Sequence, residues 1–63
     1  MMPIVTVQLL EGRTREQKKA MVEKVTEVVA ETTNASPENV KIIIEEMSKN
    51  HFASAGELAS EKS

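Results

Sequence analysis

Ile4-Val5-Thr6-Val7-Gln8-Leu9-Leu10 alternates its side chains as a strand does, and Glu11-Gly12-Arg13 closes it. With a period of two, Val5, Val7 and Leu9 fall on one face and Ile4, Thr6, Gln8 and Leu10 on the other. Thr14 follows as an N-cap, and Gln17 three positions on completes a capping-box pattern. A helix is therefore expected from about Arg15 to Thr33. Met21, Val25, Val28, Val29 and Thr32 recur at helical spacing as its packing side, with Lys18, Glu23, Lys24, Glu27 and Glu31 more solvated. Its valines have modest helix propensity, so burial rather than intrinsic preference should hold it.

Asn34-Ala35-Ser36-Pro37-Glu38 ends the helix, and Ser36-Pro37 is an order that caps a short new turn. Val40 to Glu46 predicts a second strand with Val40, Ile42 and Ile44 on one face and Lys41, Ile43 and Glu45 on the other. Strand, long helix, strand suits a right-handed crossover between parallel strands. The faces of Val5, Val7, Leu9 and of Val40, Ile42, Ile44 would then lie under Met21, Val25 and Val28. That leaves Ile4, Leu10 and Ile43 on an uncovered face and both strand edges open, which contacts between subunits would cover. Ala53-Ser54-Ala55-Gly56 before Glu57-Leu58 reads as a tight hairpin or an arm reaching a neighbour, and Glu61-Lys62-Ser63 is expected to fray.

The chain has 63 residues, a single histidine, a single aromatic side chain and no cysteine, and its formal charge is −2. It reads as one small domain, residues 1–63. At that length folding withdraws only about 60% of the unfolded chain's surface from water, so the core is thin and self-association must supply stability. No disulfide is available, and one histidine cannot assemble a usual zinc cluster. The charges are interspersed, with no basic stripe and no stacking platform, so nucleic acid is not an expected partner. Nothing approaches a membrane span or a secretory leader, and the expected location is the cytoplasm. Glu45, Glu46 and His51 match no established metal-ligand spacing and read as a solvated acidic edge; His51 is a minor candidate for a second acid or base.

Pro3, immediately ahead of the first strand, admits two readings. A proline begins an edge strand harmlessly because its missing N–H is not needed there. If Met1 and Met2 were removed, it would instead present a secondary amine which, among apolar side chains, is uncharged often enough to carry a proton. As an internal residue its nitrogen is an amide and has no basic lone pair. Initiator methionine removal usually requires a small neighbour, which Met-Pro satisfies and Met-Met does not. The expectation is therefore that synthesis begins at Met2, or else that Pro3 stays blocked.

Pro3 opening the strand, Leu10-Glu11-Gly12-Arg13 closing it, the capped helix, Ile42-Ile43-Ile44-Glu45-Glu46-Met47, and His51-Phe52 before Gly56-Glu57-Leu58 together resemble the 4-oxalocrotonate tautomerase family over nearly the whole chain. The resemblance implies an α+β fold: a βαβ subunit with parallel strands and a short C-terminal hairpin. It further implies subunits paired through their sheets, usually as a homohexamer built as a trimer of dimers. The implied activity is an isomerase's, keto–enol tautomerism of a 2-hydroxydienoate or 2-oxo acid, of the kind used in aromatic catabolism, without metal or organic cofactor. Pro3 matches the catalytic proline and Arg13 an arginine that binds a substrate carboxylate. Phe52 matches the aromatic wall of the site, and Lys41 stands where a second arginine is found. Read without the resemblance, Arg13 is a solvated turn residue, Lys41 a solvated strand lysine and Phe52 an interface anchor. The competing reading for the whole chain is a non-catalytic oligomeric βαβ module.

Overall fold

The structure, a computed structural model, describes residues 1–61, so the fraying expected of Lys62 and Ser63 lies outside the described residues. β1 (Ile4–Leu10) leads through the helix α1 (Arg15–Thr33) and a 3-10 turn (Pro37–Asn39) to β2 (Lys41–Met47). A second 3-10 turn (Lys49–His51) precedes the two-residue strands β3 (Ala53–Ser54) and β4 (Glu57–Leu58), and a last turn spans Ala59–Glu61. β1 and β2 pair in parallel, with Ile4 opposite Lys41, Val7 opposite Ile44 and Leu10 opposite Met47. The second strand thus starts one residue later and ends one residue later than the sequence pattern indicated. Val40 lies just before it and, 8% exposed, is the single buried apolar side chain among the described residues.

The capping box is formed as the sequence predicts. Thr14 Oγ1 accepts from the Gln17 N–H at 3.1 Å, while the Thr14 N–H donates to Gln17 Oε1 at 2.9 Å, satisfying two backbone donors that the helix start leaves free. At the other end Asn34 takes the left-handed conformation, φ 59°, and the Ala35 N–H returns to the Ala30 carbonyl at 3.1 Å. Between these ends the half-buried stripe of α1 is Lys18, Met21, Val22, Val25, Thr26, Val29 and Ala30. Three expectations are corrected here. Val28 is 57% exposed and does not roof the sheet, Thr32 is exposed and turns its hydroxyl back to the Val28 carbonyl at 2.8 Å, and Lys18 is not a solvated residue. The Lys18 ammonium reaches Glu46 Oε1 at 2.6 Å, because Glu46 sits opposite Leu9 and so follows Val5, Val7 and Leu9 onto the helix-covered face.

Glu45 leaves the opposite face, where Gln8 Nε2 donates to its carboxylate at 3.1 Å. That face carries Ile4 at 58% and Ile43 at 48% exposure, with nothing from this chain upon it. The molecule measures 42 × 24 × 14 Å, one sheet and one helix deep, with a radius of gyration of 14.7 Å. A compact chain of this length has a radius of roughly 11 Å. Its surface of 4838 Å² likewise exceeds the ~4000 Å² expected of a monomer of this mass. The excess, about 800 Å², is the surface of a body one sheet and one helix deep.

β3 and β4 form the hairpin, Ala53 opposite Leu58 and Ser54 opposite Glu57, across the two-residue turn Ala55-Gly56. Both turn residues have positive φ, 53° and 78°, as a turn matching the strands' right-handed twist requires. Glycine adopts this freely and alanine does so at a cost of about 1–2 kcal/mol. Ala55→Asn should therefore stabilise the hairpin by roughly 0.5–1 kcal/mol, seen as slower amide hydrogen exchange at Ser54 and Glu57, the pair that flanks the turn. An unchanged or faster exchange would show that the turn is held by contacts other than its own backbone preference. Glu61 is ordered by its carboxylate, which accepts from the Leu58 N–H at 2.8 Å.

Candidate active site

Four residues singled out in the sequence occupy two ends of the sheet. Pro3, half-buried, directly precedes β1, and its carbonyl accepts the Lys41 N–H at 2.9 Å, so the two backbones touch where β1 and β2 begin. Their side chains diverge. Alternation places Pro3 on the side of Val5 and Val7, beneath the helix, whereas Lys41 shares the open face with Ile4 and Ile43. The Lys41 ammonium donates to the Glu38 carbonyl at 3.1 Å.

Arg13 lies past the far end of β1. The Glu11 N–H extends the ladder to the Met47 carbonyl at 2.8 Å, and Gly12 then turns the chain with φ 120° before the Thr14 cap. A side chain at position 12 would meet no neighbour, so backbone conformation rather than crowding asks for glycine. Phe52 follows the turn after β2 and, because the strands are parallel, emerges at Arg13's end. It is 47% exposed, and its carbonyl receives the Ala59 N–H at 2.8 Å, which ties the hairpin back to it. Six steps of strand separate Ile4 from Leu10, about 20 Å at the usual rise. No side chain spans that distance, so one subunit does not bring Pro3 together with Arg13 or Phe52.

His51 is exposed, its N–H held by the Ser48 carbonyl at 2.8 Å. Among the described residues no group of three His, Cys, Asp or Glu side chains is arranged to hold a metal ion, and the carboxylates of Glu45 and Glu46 leave opposite faces of the sheet. No helix among these residues is long and apolar enough to cross a membrane. A shallow groove of about 480 Å³ lies between α1 and the turn that follows it, lined by Val22, Glu23, Thr26, Glu27 and Pro37. None of the four candidate residues borders it. The Glu38 carbonyl beneath Lys41 carries no side-chain signature, and sequence reading passed it over.

Residues 3–62 match the family model described as tautomerase enzyme, and the match opens at the proline. The chain belongs to the tautomerase family. It is 62% identical over 61 residues to a probable tautomerase of Bacillus cereus, covering 97% of this chain and 100% of that protein. The 2-hydroxymuconate tautomerase of Bacillus subtilis is 60% identical over 60 residues, 95% of this chain and 97% of the relative. Among solved structures, the crystal structure of YwhB, a homologue of 4-oxalocrotonate tautomerase, superposes with a TM-score of 0.88 at 60% identity, over 92% of this chain and 95% of that one. A heterohexameric 4-oxalocrotonate tautomerase from Chloroflexus aurantiacus J-10-fl gives a TM-score of 0.91 at 27% identity, over 95% of this chain and 97% of that one. The tautomerases named among these relatives are isomerases, and the βαβ subunit with its terminal hairpin is the tautomerase fold.

Proposed function

We propose that this tautomerase interconverts the enol and keto forms of a 2-hydroxydienoate or related 2-oxo acid, with Pro3 as the proton carrier once Met1 and Met2 are absent. The observation that carries this reading is the placement of Pro3: half-buried, its carbonyl fixed by the β2 backbone, at the point where the family match begins. A free ring nitrogen there takes the proton of the enol hydroxyl as the carbon–oxygen double bond forms, and the resulting ammonium returns it to a carbon of the conjugated chain. Nothing is gained or lost in sum, so the reaction needs no co-reactant. Partial exclusion of water disfavours the ammonium, as does a nearby cation, and both enlarge the fraction of amine ready to act as base.

Arg13 would hold a substrate carboxylate through its two-pronged guanidinium. Lys41 would bind the 2-oxo or carboxylate oxygens of the substrate as a point charge, and Phe52 would supply an apolar wall. Because one subunit separates these groups by the length of β1, the complete site is formed between copies, with the open face of Ile4 and Ile43 and the outward Lys41 turned toward a neighbour. The excess of about 800 Å² of surface per chain is what such an assembly would cover. A homohexamer is the assembly we favour.

Intact mass and turnover, measured on the same sample, test the reading. Protein lacking both methionines should ketonise 2-hydroxymuconate, followed by loss of its ultraviolet absorbance, and protein retaining Met2 on Pro3 should not. Equal turnover by both forms would dismiss the proline nitrogen as the base, and no turnover by either would favour the non-catalytic module.

A further inference from the structure

Lys41 is the one cation among the open-face positions of β1 and β2, and its ammonium is not left to wander. It donates to the main-chain carbonyl of Glu38 at 3.1 Å. That carbonyl belongs to the 3-10 turn Pro37–Asn39, which is closed by the Asn39 N–H on the Ser36 carbonyl at 2.9 Å and the Val40 N–H on the Pro37 carbonyl at 3.1 Å. Pro37 fixes its own φ, and the Ser36 hydroxyl donates to the Glu38 carboxylate. The next residue, Val40, is the most buried apolar side chain described, and Lys41's own N–H is locked on Pro3. The tether is therefore anchored on both sides.

We propose that the turn of residues 36–39 is a positioning element for Lys41. The Glu38 carbonyl holds one ammonium donor so that the remaining two face the anionic oxygens of a substrate bound against a neighbouring copy. The proposal rests on the tautomerase reading above and deepens it. A lysine side chain loses much rotamer freedom on engaging a ligand, and a carbonyl that has already restrained it lowers that loss when the substrate arrives. The turn thus acts on substrate affinity rather than on proton transfer, and it acts only through Lys41.

A double-mutant cycle on the assembled protein lacking both methionines reads this out, with 2-hydroxymuconate as the probe. Pro37→Gly and Lys41→Met should each raise KM by about three- to tenfold, the size of one hydrogen bond's net contribution, with kcat changed less than about twofold. The double variant should be no worse than Lys41→Met alone, since a carbonyl with no ammonium to hold has nothing left to lose. If the two effects multiply in full, or if Pro37→Gly lowers kcat and leaves KM alone, the turn is a structural support and the positioning role is overturned. Should Pro37→Gly fail to assemble by sedimentation, Ser36→Ala, which removes only the hydroxyl, takes its place in the same cycle. Pro3-dependent turnover with multiplicative variants would overturn this proposal alone, whereas absence of Pro3-dependent turnover would remove the tautomerase reading and this proposal together.

Discussion

Pro3→Ala, made in protein that begins at residue 3, is expected to lower kcat/KM for enol ketonisation by about 10² to 10⁴, the range that a well-placed acid–base group contributes. At about 1.4 kcal/mol per factor of ten this is roughly 3–5 kcal/mol of transition-state stabilisation. The substitution leaves a primary amine at the same position and keeps the backbone bond from the Lys41 N–H to the carbonyl of residue 3, so the loss would measure what the ring provides: a secondary amine whose nitrogen is held in place by ring closure. Circular dichroism and sedimentation should match the unmodified protein, because the Ile4–Leu10 ladder does not use the proline's nitrogen. Turnover within a few-fold of the parent would count against the proline ring as the source of catalysis, since a primary amine would then serve as well.

Ile43→Asp is expected to cost the protein its folded state at micromolar concentration. Ile43 stands 48% exposed in the middle of β2, on the face with Ile4, so a carboxylate there does little harm to an isolated subunit. Within an assembly the same carboxylate is taken out of water without a partner, at a cost of several kcal/mol. A single subunit has one buried apolar side chain among its described residues, so in the assembly proposed above its folding is expected to depend on its neighbours. Dissociation and unfolding should therefore coincide. The unmodified protein should show a melting temperature that rises with concentration, and Ile43→Val, which removes one methylene, should cost only about 0.5–1.5 kcal/mol. A stable, folded monomer of Ile43→Asp would contradict the argument from open faces.

The strand–helix–strand order was legible because each element carries its own punctuation. The period of two in residues 4–10, the Thr14–Gln17 box and Asn34 before Ser36-Pro37 all coincide with what the structure forms. Val28 misled because apolar character is a poor guide at the margin of a stripe. At about 100° per residue it falls roughly a quarter-turn from the line through Val25 and Val29, where Val22 and Lys18 pack instead. Lys18 was legible in principle: strand alternation carries Glu46 onto the helix side, where a cation on the facing stripe of α1 can reach it. The members of the site could be named from the resemblance, and their separation could be counted from the seven residues of β1. The Glu38 carbonyl under Lys41 could not be foreseen, because a main-chain acceptor looks the same beneath every residue type.

A body only 14 Å thick leaves each chain without a private interior. Nearly every apolar side chain then answers to two environments at once, its own fold and whatever lies against it, and tolerance to change is shared among copies. In the assembly proposed above, the products of a duplicated gene would meet one another from the outset. Divergence would have to proceed through faces that still fit one another, or through a charge reversal large enough to part them in a single step.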